Sequence, residues 1–178
     1  MPEANARRVA GVPGMLTRLG GNAAALVTCA AALGYAFHAQ YVQGFVPCHL
    51  CIFQRIALAA TGAAFLLALL LEGGRGVARL HAVLIGLTAG ALAATAGRHV
   101  WIQLQPPGAV PACGADLDFM LDIFPLYEVV LKVFRAGGEC QKIDWTLLGL
   151  SMPAWVLIFA VVVGGFGVWN NLRSAPRG

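Results

Sequence analysis

CIFQRIALAATGAAFLLALLL, residues 51–71, is a run of helix length whose only charge is Arg55. About 20 predominantly apolar residues in a helix cross the hydrocarbon core of a bilayer, so this stretch is expected to span a membrane. Three others have the same character. Residues 21–40 contain no charge. Residues 77–104 carry Arg79 and His81 at one end and Arg98 and His99 at the other. Residues 147–169 make the fourth. What is left is too short for a separate soluble domain. The expected fold is therefore all-α: an integral membrane four-helix bundle forming a single membrane domain over residues 1–178.

Composition agrees. Of 178 residues, 59% are apolar and only 11% charged, with a mean hydropathy of +0.75. A soluble domain carries about a quarter charged residues, because charged side chains are what cover a wetted surface. The deficit excludes a disordered chain, a nucleic-acid-binding domain and most soluble enzymes. The net charge of +4 would suggest nucleic acid in a soluble protein. In a membrane protein it marks the cytoplasmic side, where Lys and Arg accumulate. Arg7, Arg8 and Arg18 precede the first span, Arg75 and Arg79 join the second to the third, and Arg173 and Arg177 follow the fourth. The connection at 41–49 has no Lys or Arg, and residues 105–146 hold six acids against three bases. Both termini are thus expected in the cytoplasm, with outer loops at 41–50 and 105–146. A cleaved signal peptide over the first span is the competing reading. Ala36-Phe37-His38-Ala39 loosely matches a small-residue cleavage site, but the apolar run is longer than an h-region and His38 interrupts its end. Gly86, Gly90 and Ala94, at four-residue spacing, are expected to let the third span approach a neighbour closely.

Four of the five cysteines fall in the outer segments: Cys48 and Cys51, then Cys113 and Cys140. Disulfides persist in oxidising compartments, so topology and cysteine placement agree independently. Cys29, inside the first span, reads as a small buried hydrophobe. The spacing of the outer four leaves three readings open. A zinc site needs four ligands around a tetrahedron, but Cys113 and Cys140 lack the second close-spaced pair. Two structural disulfides are possible, although a Cys-x-x-Cys ring constrains little unfolded-chain entropy. Redox chemistry is the third: a Cys-x-x-Cys at a helix N-terminus has its thiol pKa lowered by the free amides and the dipole, and the thiolate is the attacking species. His49 lies between the two cysteines and does not follow the second, which excludes a haem-attachment motif.

Arg55 favours the redox reading. An intramembrane charge is costly and points to function, unless it snorkels to the headgroups, which a depth of one turn allows. Arg55 follows Cys51 by four residues, so the two project from one helix face. A guanidinium there would stabilise a Cys51 thiolate and hydrogen-bond an anionic or carbonyl oxygen beside it. Cys48 would face the aqueous loop. In the second loop, Pro125 to Arg135 reads as a short helix with proline in its first turn and Glu128, Lys132 and Arg135 along one face. About 11 residues cannot span a bilayer, so a short amphipathic helix on the membrane surface is expected. Pro106-Pro107-Gly108 and Gly137-Gly138 mark turning connections on either side.

The run Pro47-Cys48-His49-Leu50-Cys51-Ile52-Phe53-Gln54-Arg55 resembles the signature of the disulfide bond formation protein B (DsbB) family of bacterial inner membranes. Cys113-Gly114 and Gly138-Glu139-Cys140-Gln141-Lys142-Ile143-Asp144-Trp145, with Leu148-Gly149-Leu150, resemble the same family's second loop, and the likeness extends over nearly the whole chain. The resemblance implies a quinone-dependent oxidase of a periplasmic, thioredoxin-like DsbA-type thiol oxidoreductase. It implies that Cys113 forms the mixed disulfide with that partner, that Cys140 passes electrons to Cys48, and that Cys51, beside Arg55, faces the quinone. His99 and, more weakly, Gln54 are further candidates for the quinone site, although an interfacial histidine with its tip in water is an equal reading of His99. Nothing in the sequence reads the quinone head group, so ubiquinone and menaquinone both fit. No metal and no nucleic acid are expected. Two rivals predict different chemistry: a four-helix membrane protein with inert loop disulfides, and a vitamin-K-epoxide-reductase-like enzyme, whose Cys-x-x-Cys usually falls late in the chain.

Overall fold

The computed structural model describes residues 2–106, 108–111, 117–135, 138–143 and 145–173. Four long helices dominate it: α1 (Pro2–Tyr41), α2 (His49–Leu70), α3 (Arg75–Gln103) and α6 (Met152–Arg173). Each contains a stretch long and apolar enough to cross a membrane, that of α1 being Arg18–Tyr41. The outward faces of these helices carry large apolar side chains, among them Leu66, Val83, Leu87 (67% exposed) and Val161 (62% exposed). Water would oppose such a surface, whereas lipid tails solvate it. The protein is a multi-pass membrane bundle.

Packing runs around the bundle, α1 on α2, α2 on α3, α3 on α6, with a lighter contact closing α6 on α1. The interior cluster of Ala25, Cys29, Leu58, Phe65, Ile85, Leu92 and Ala160 joins all four helices. Cys29 is buried there, as a small hydrophobe would be. The expected close approach of α3 is real: Gly86 faces Val168 of α6, where an added Cβ would lie 3.5 Å away, but the tightest contacts fall at glycines of α6. A Cβ added at Gly164 would lie 2.5 Å from the Ala89 Cβ, and one at Gly167 2.5 Å from the Phe65 ring and 2.9 Å from Ile85. Gly90 has nothing within 4 Å of that position. Gly167→Ala is expected to cost about 1–3 kcal/mol by overpacking, read as a fall in the thermal unfolding midpoint in detergent, whereas Gly90→Ala leaves it unchanged or raises it.

Between α3 and α6 the chain forms α4 (Leu117–Ile123), α5 (Leu126–Arg135) and a 3₁₀ turn (Gly138–Gln141). The helix expected after Pro125 is α5, whose first turn is closed by the Pro125 carbonyl accepting from the Glu128 and Val129 amides at 2.9 and 3.2 Å. Its Val129 and Val133 are buried in a second cluster with Leu50, Ile102, Val110, Met120 and Cys140. Arg98 Nε donates to the Phe134 carbonyl at 2.9 Å, tying α5 to α3, and Phe53 meets Phe134 edge-on at 6.4 Å. This second cluster is what holds the Cys140 turn over the N-terminus of α2.

The fourth span differs from expectation. It starts at Met152, because 146–151 is a two-stranded hairpin pairing Thr146 with Ser151 and Leu147 with Leu150. Its two turn residues, Leu148 (φ 53°) and Gly149 (φ 80°), both have the left-handed backbone that a type I′ hairpin turn requires. A short apolar run such as Leu147–Leu150 is ambiguous between helix and strand by pattern alone, and here the glycine decides. The helix α4 was likewise not foreseen.

Candidate functional site

Three sulfurs meet at the N-terminus of α2. Cys48 is the N-cap, its backbone extended (φ −72°, ψ 168°) and its sulfur accepting from the Cys51 amide at 3.4 Å. That cap turns the Cys48 side chain back over the first helical turn, and its Sγ lies 2.9 Å from Cys51 Sγ. Both thiols are free and half-buried. Cys140, 1% exposed, is brought in from the far loop by the second apolar cluster, and its thiol is hydrogen-bonded to that of Cys48. Cys48 therefore sits between Cys51 and Cys140.

His99, buried in the C-terminal part of α3, fastens the cluster. Its Nε2–H donates to the Cys140 carbonyl at 3.1 Å and lies 3.9 Å from Cys48 Sγ. Its Nδ1 accepts from Gln54 Nε2 at 3.1 Å. Both nitrogens are thus engaged, which fixes the ring and the tautomer. The interfacial placement with the tip in water does not hold: the histidine is inside. Cys48, Cys51 and His99 offer atoms within 4.8 Å of one another, a spacing compatible with a metal. Coordination through His99 Nε2 would require it to give up its proton and the bond to Cys140.

The same contacts set the reactivity of Cys140. The hydrogen bond from the Cys48 thiol stabilises the Cys140 thiolate and outweighs burial, with the Leu50 amide and His99 adding to it, so its pKa is pulled down to about 7. Cys48 is pushed up by the neighbouring sulfurs of Cys140 and Cys51 and by its own burial. The thiolate is the attacking form, so thiol exchange at Cys140 is expected to be half-maximal near pH 7 and to fall tenfold per unit below it. Cys48→Ala removes the donated bond and moves that midpoint up toward the range of an ordinary thiol. Alkylation rates of Cys140 against pH, resolved by peptide mass spectrometry, measure both.

Arg55 is placed differently from the sulfurs it was expected to serve. Its Nη1 donates to Gln40 Oε1 and its Nη2 to the Ala36 carbonyl at 2.9 Å, both on α1, and the guanidinium stacks over Phe37 at 5.4 Å. Arg55 and Cys51 border a common cavity of about 600 Å³ between α1, α2 and α6. Ala32, Ala36 and Leu58 line it with Trp155, Val156 and Phe159, and Gln54 and His99 reach its edge. Cys113 lies outside the described residues. Sequence reasoning did not single out Gln40, Ala36 or the aromatics of α6. Gln40 is a polar residue at the end of an uncharged span, a weak signal, and its partner is 15 positions away across a turn.

The family model described as disulfide bond formation protein DsbB matches residues 20–170. A disulfide bond formation protein B of Nitrosococcus oceani is 40% identical over 154 residues, covering 82% of this chain and 86% of that one. That of Chromobacterium violaceum is 43% identical over 141 residues, covering 79% and 85%. That of Methylococcus capsulatus is 42% identical over 148 residues, covering 82% and 90%. No solved structure matches the chain.

Proposed function

The chain belongs to the disulfide bond formation protein DsbB family and is a redox enzyme, and on that premise we propose how its residues divide the work. It is a quinone-dependent thiol oxidase that re-oxidises a periplasmic, DsbA-type dithiol protein. The observation that carries this reading is the row of sulfurs, Cys140 beside Cys48 and Cys48 beside Cys51, ending at an apolar cavity flanked by an arginine. A structural staple needs two sulfurs, not a third within hydrogen-bonding distance.

Each transfer is a thiolate attack on a disulfide sulfur. A partner thiolate attacks Cys113 of a Cys113–Cys140 disulfide, and Cys140 leaves as a thiolate. The partner's second thiol then displaces Cys113, so the partner gains a disulfide and this pair gains two electrons and two protons. Cys140 next attacks Cys48 of a Cys48–Cys51 disulfide, and Cys51 leaves beside the cavity. Attack of Cys113 on Cys140 frees Cys48, so the reducing equivalents now reside on Cys48 and Cys51. A quinone, when bound, supplies the acceptor for those two electrons and two protons. The cavity suits such a group: its apolar walls would take a flat ring, Arg55 and Gln54 are polar groups at its edge that would meet ring oxygens, and His99, with both nitrogens engaged, would hold Gln54 in place. Arg55, already fixed by α1, would act as a preorganised donor. Ubiquinone and menaquinone both fit.

In this reading the chain is one membrane domain of the bacterial inner membrane, with its termini cytoplasmic, its cysteine loops periplasmic and α5 lying at the outer surface. The charge distribution supports the orientation. The test mixes purified protein with a reduced thioredoxin-like dithiol protein and a soluble quinone and follows the quinone absorbance. One quinone lost per disulfide gained is expected. A constant spectrum with loop cysteines that resist reduction would return the protein to an inert, stapled bundle.

A further inference from the structure

At the end of the bundle away from the sulfurs, five polar side chains are packed out of contact with solvent: Arg18 (1% exposed), Asn22, His81, Asn170 and Asn171. The asparagines satisfy one another. Asn22 and Asn171 exchange carboxamide hydrogen bonds at 3.3 and 3.0 Å, and Asn170 Nδ2 donates to Asn22 Oδ1 at 3.2 Å and to the Arg18 carbonyl at 3.0 Å. Arg18 is not satisfied. Its Nη2 reaches the Gly73 carbonyl only at 3.5 Å, and its Nε and Nη1 have no partner. His81, close enough to Arg18 to interact with it electrostatically, has an unpartnered Nδ1. Among the described residues no carboxylate pairs with this arginine.

A buried charge is tolerated when it is paired, and an arginine cannot shed its proton to escape the cost. Each orphaned nitrogen forms a parallel donor pair with Nη2, whose own bond to Gly73 is long, and such pairs are what a guanidinium offers to phosphate oxygens. The depth of the site indicates where the phosphate comes from. Arg18 begins the apolar stretch of α1. At the same end of the bundle Trp169 is half-exposed with Arg173 stacked on it at 3.9 Å, the combination that marks the bilayer interface. Arg75 and Arg79 add positive charge there, which attracts anionic lipid.

We propose that Arg18, with His81 beside it, forms a binding site for the phosphate of an anionic phospholipid head group. Bound phosphate accepts from Arg18 Nη2 together with one of the two orphaned nitrogens, Nε or Nη1, and from His81 when its proton is on Nδ1, while the asparagine cluster holds α1 against α6 beneath it. In lipid, this closes the junction of α1, α6 and the 71–74 connection with an ion pair that the chain does not supply from its described residues.

The test uses the purified full chain in maltoside micelles, which contain no phosphate, and follows thermal unfolding. Added phosphatidylglycerol is expected to raise the midpoint by about 2–4 °C, and Arg18→Gln is expected to abolish the increment while quinone-linked turnover continues. Inorganic phosphate added without lipid separates the sources: no response assigns the site to the lipid, and a response equal to the lipid's overturns the lipid assignment in favour of a free anion. No response to either, or the same response in Arg18→Gln, overturns the site. Should Arg18→Gln not fold, native mass spectrometry of the wild-type chain decides: retention of phosphatidylglycerol over phosphatidylcholine is expected, and equal loss of both overturns the proposal.

Discussion

Cys48→Ala is expected to lower electron transfer from a dithiol partner to quinone by about 10³-fold or more, the scale on which loss of a covalent participant acts. Cys48 stands between the other two sulfurs, hydrogen-bonded on one side to Cys140 and 2.9 Å from Cys51 on the other. Without it, Cys140 has no disulfide to attack, and reducing equivalents stop in the second loop. Cys51→Ala is expected to stop turnover equally but to leave a different trace. Cys48 and Cys140 remain in contact, so a Cys48–Cys140 disulfide accumulates and is found by peptide mapping without reductant. Cys29→Ala, in the membrane core, leaves turnover as it was. A Cys48→Ala protein that keeps turnover within tenfold of wild type refutes the relay.

Arg55→Ala is expected to lower kcat/KM for quinone by about 10²-fold, the lower end of the cost of deleting one preorganised donor. Exchange between the dithiol partner and the cysteines, measured in a single turnover without quinone, is expected to stay near the wild-type rate. The two halves of this expectation follow from placement. The guanidinium borders the cavity but is tied to α1 through Gln40 and the Ala36 carbonyl, away from the Cys48–Cys140 contact. Arg55→Lys is expected to restore little, because a single ammonium does not reproduce a planar fork reaching two acceptors on α1. Gln40→Ala keeps the charge and loses one tie, so a smaller loss of about tenfold is expected. If quinone saturation curves of Arg55→Ala match the wild type, the arginine has no part in the site and the cavity is not the quinone's.

Several features were readable from residue order. Four apolar runs fixed the number of long helices, because helix length in a bilayer is set by the thickness of hydrocarbon. The Cys48–Cys51 spacing put a thiol pair on a helix N-terminus, and Pro125 foretold α5. Other features were not. The start of α6 at Met152 is not legible in the sequence, because Leu147–Leu150 has no period to tell strand from helix. The partners of the Arg55 tip are not legible in the sequence, because four-residue spacing says which face a side chain leaves from and not which neighbouring helix captures its tip. A long, flexible side chain goes to the best acceptors it meets, and these are on α1.

The sequence by itself determined that this is a four-helix membrane protein, and that every cysteine but Cys29 falls at or beyond an end of the apolar runs. Those properties follow from local composition, which the bilayer and the distribution of positive charge read segment by segment. Only the tertiary structure decided that Cys140 meets Cys48, that Gln54 fixes His99, and that Arg18, one of the orientation charges, is buried without a counter-ion among the described residues. Each depends on contact between elements distant in the chain, made by buried residues such as Val129, Val133, Leu50 and Ile102 that carry no chemistry of their own. Apolar packing is non-directional, so one sequence pattern is compatible with many pairings of helices, and the contacts that select a single one appear only when the helices are together.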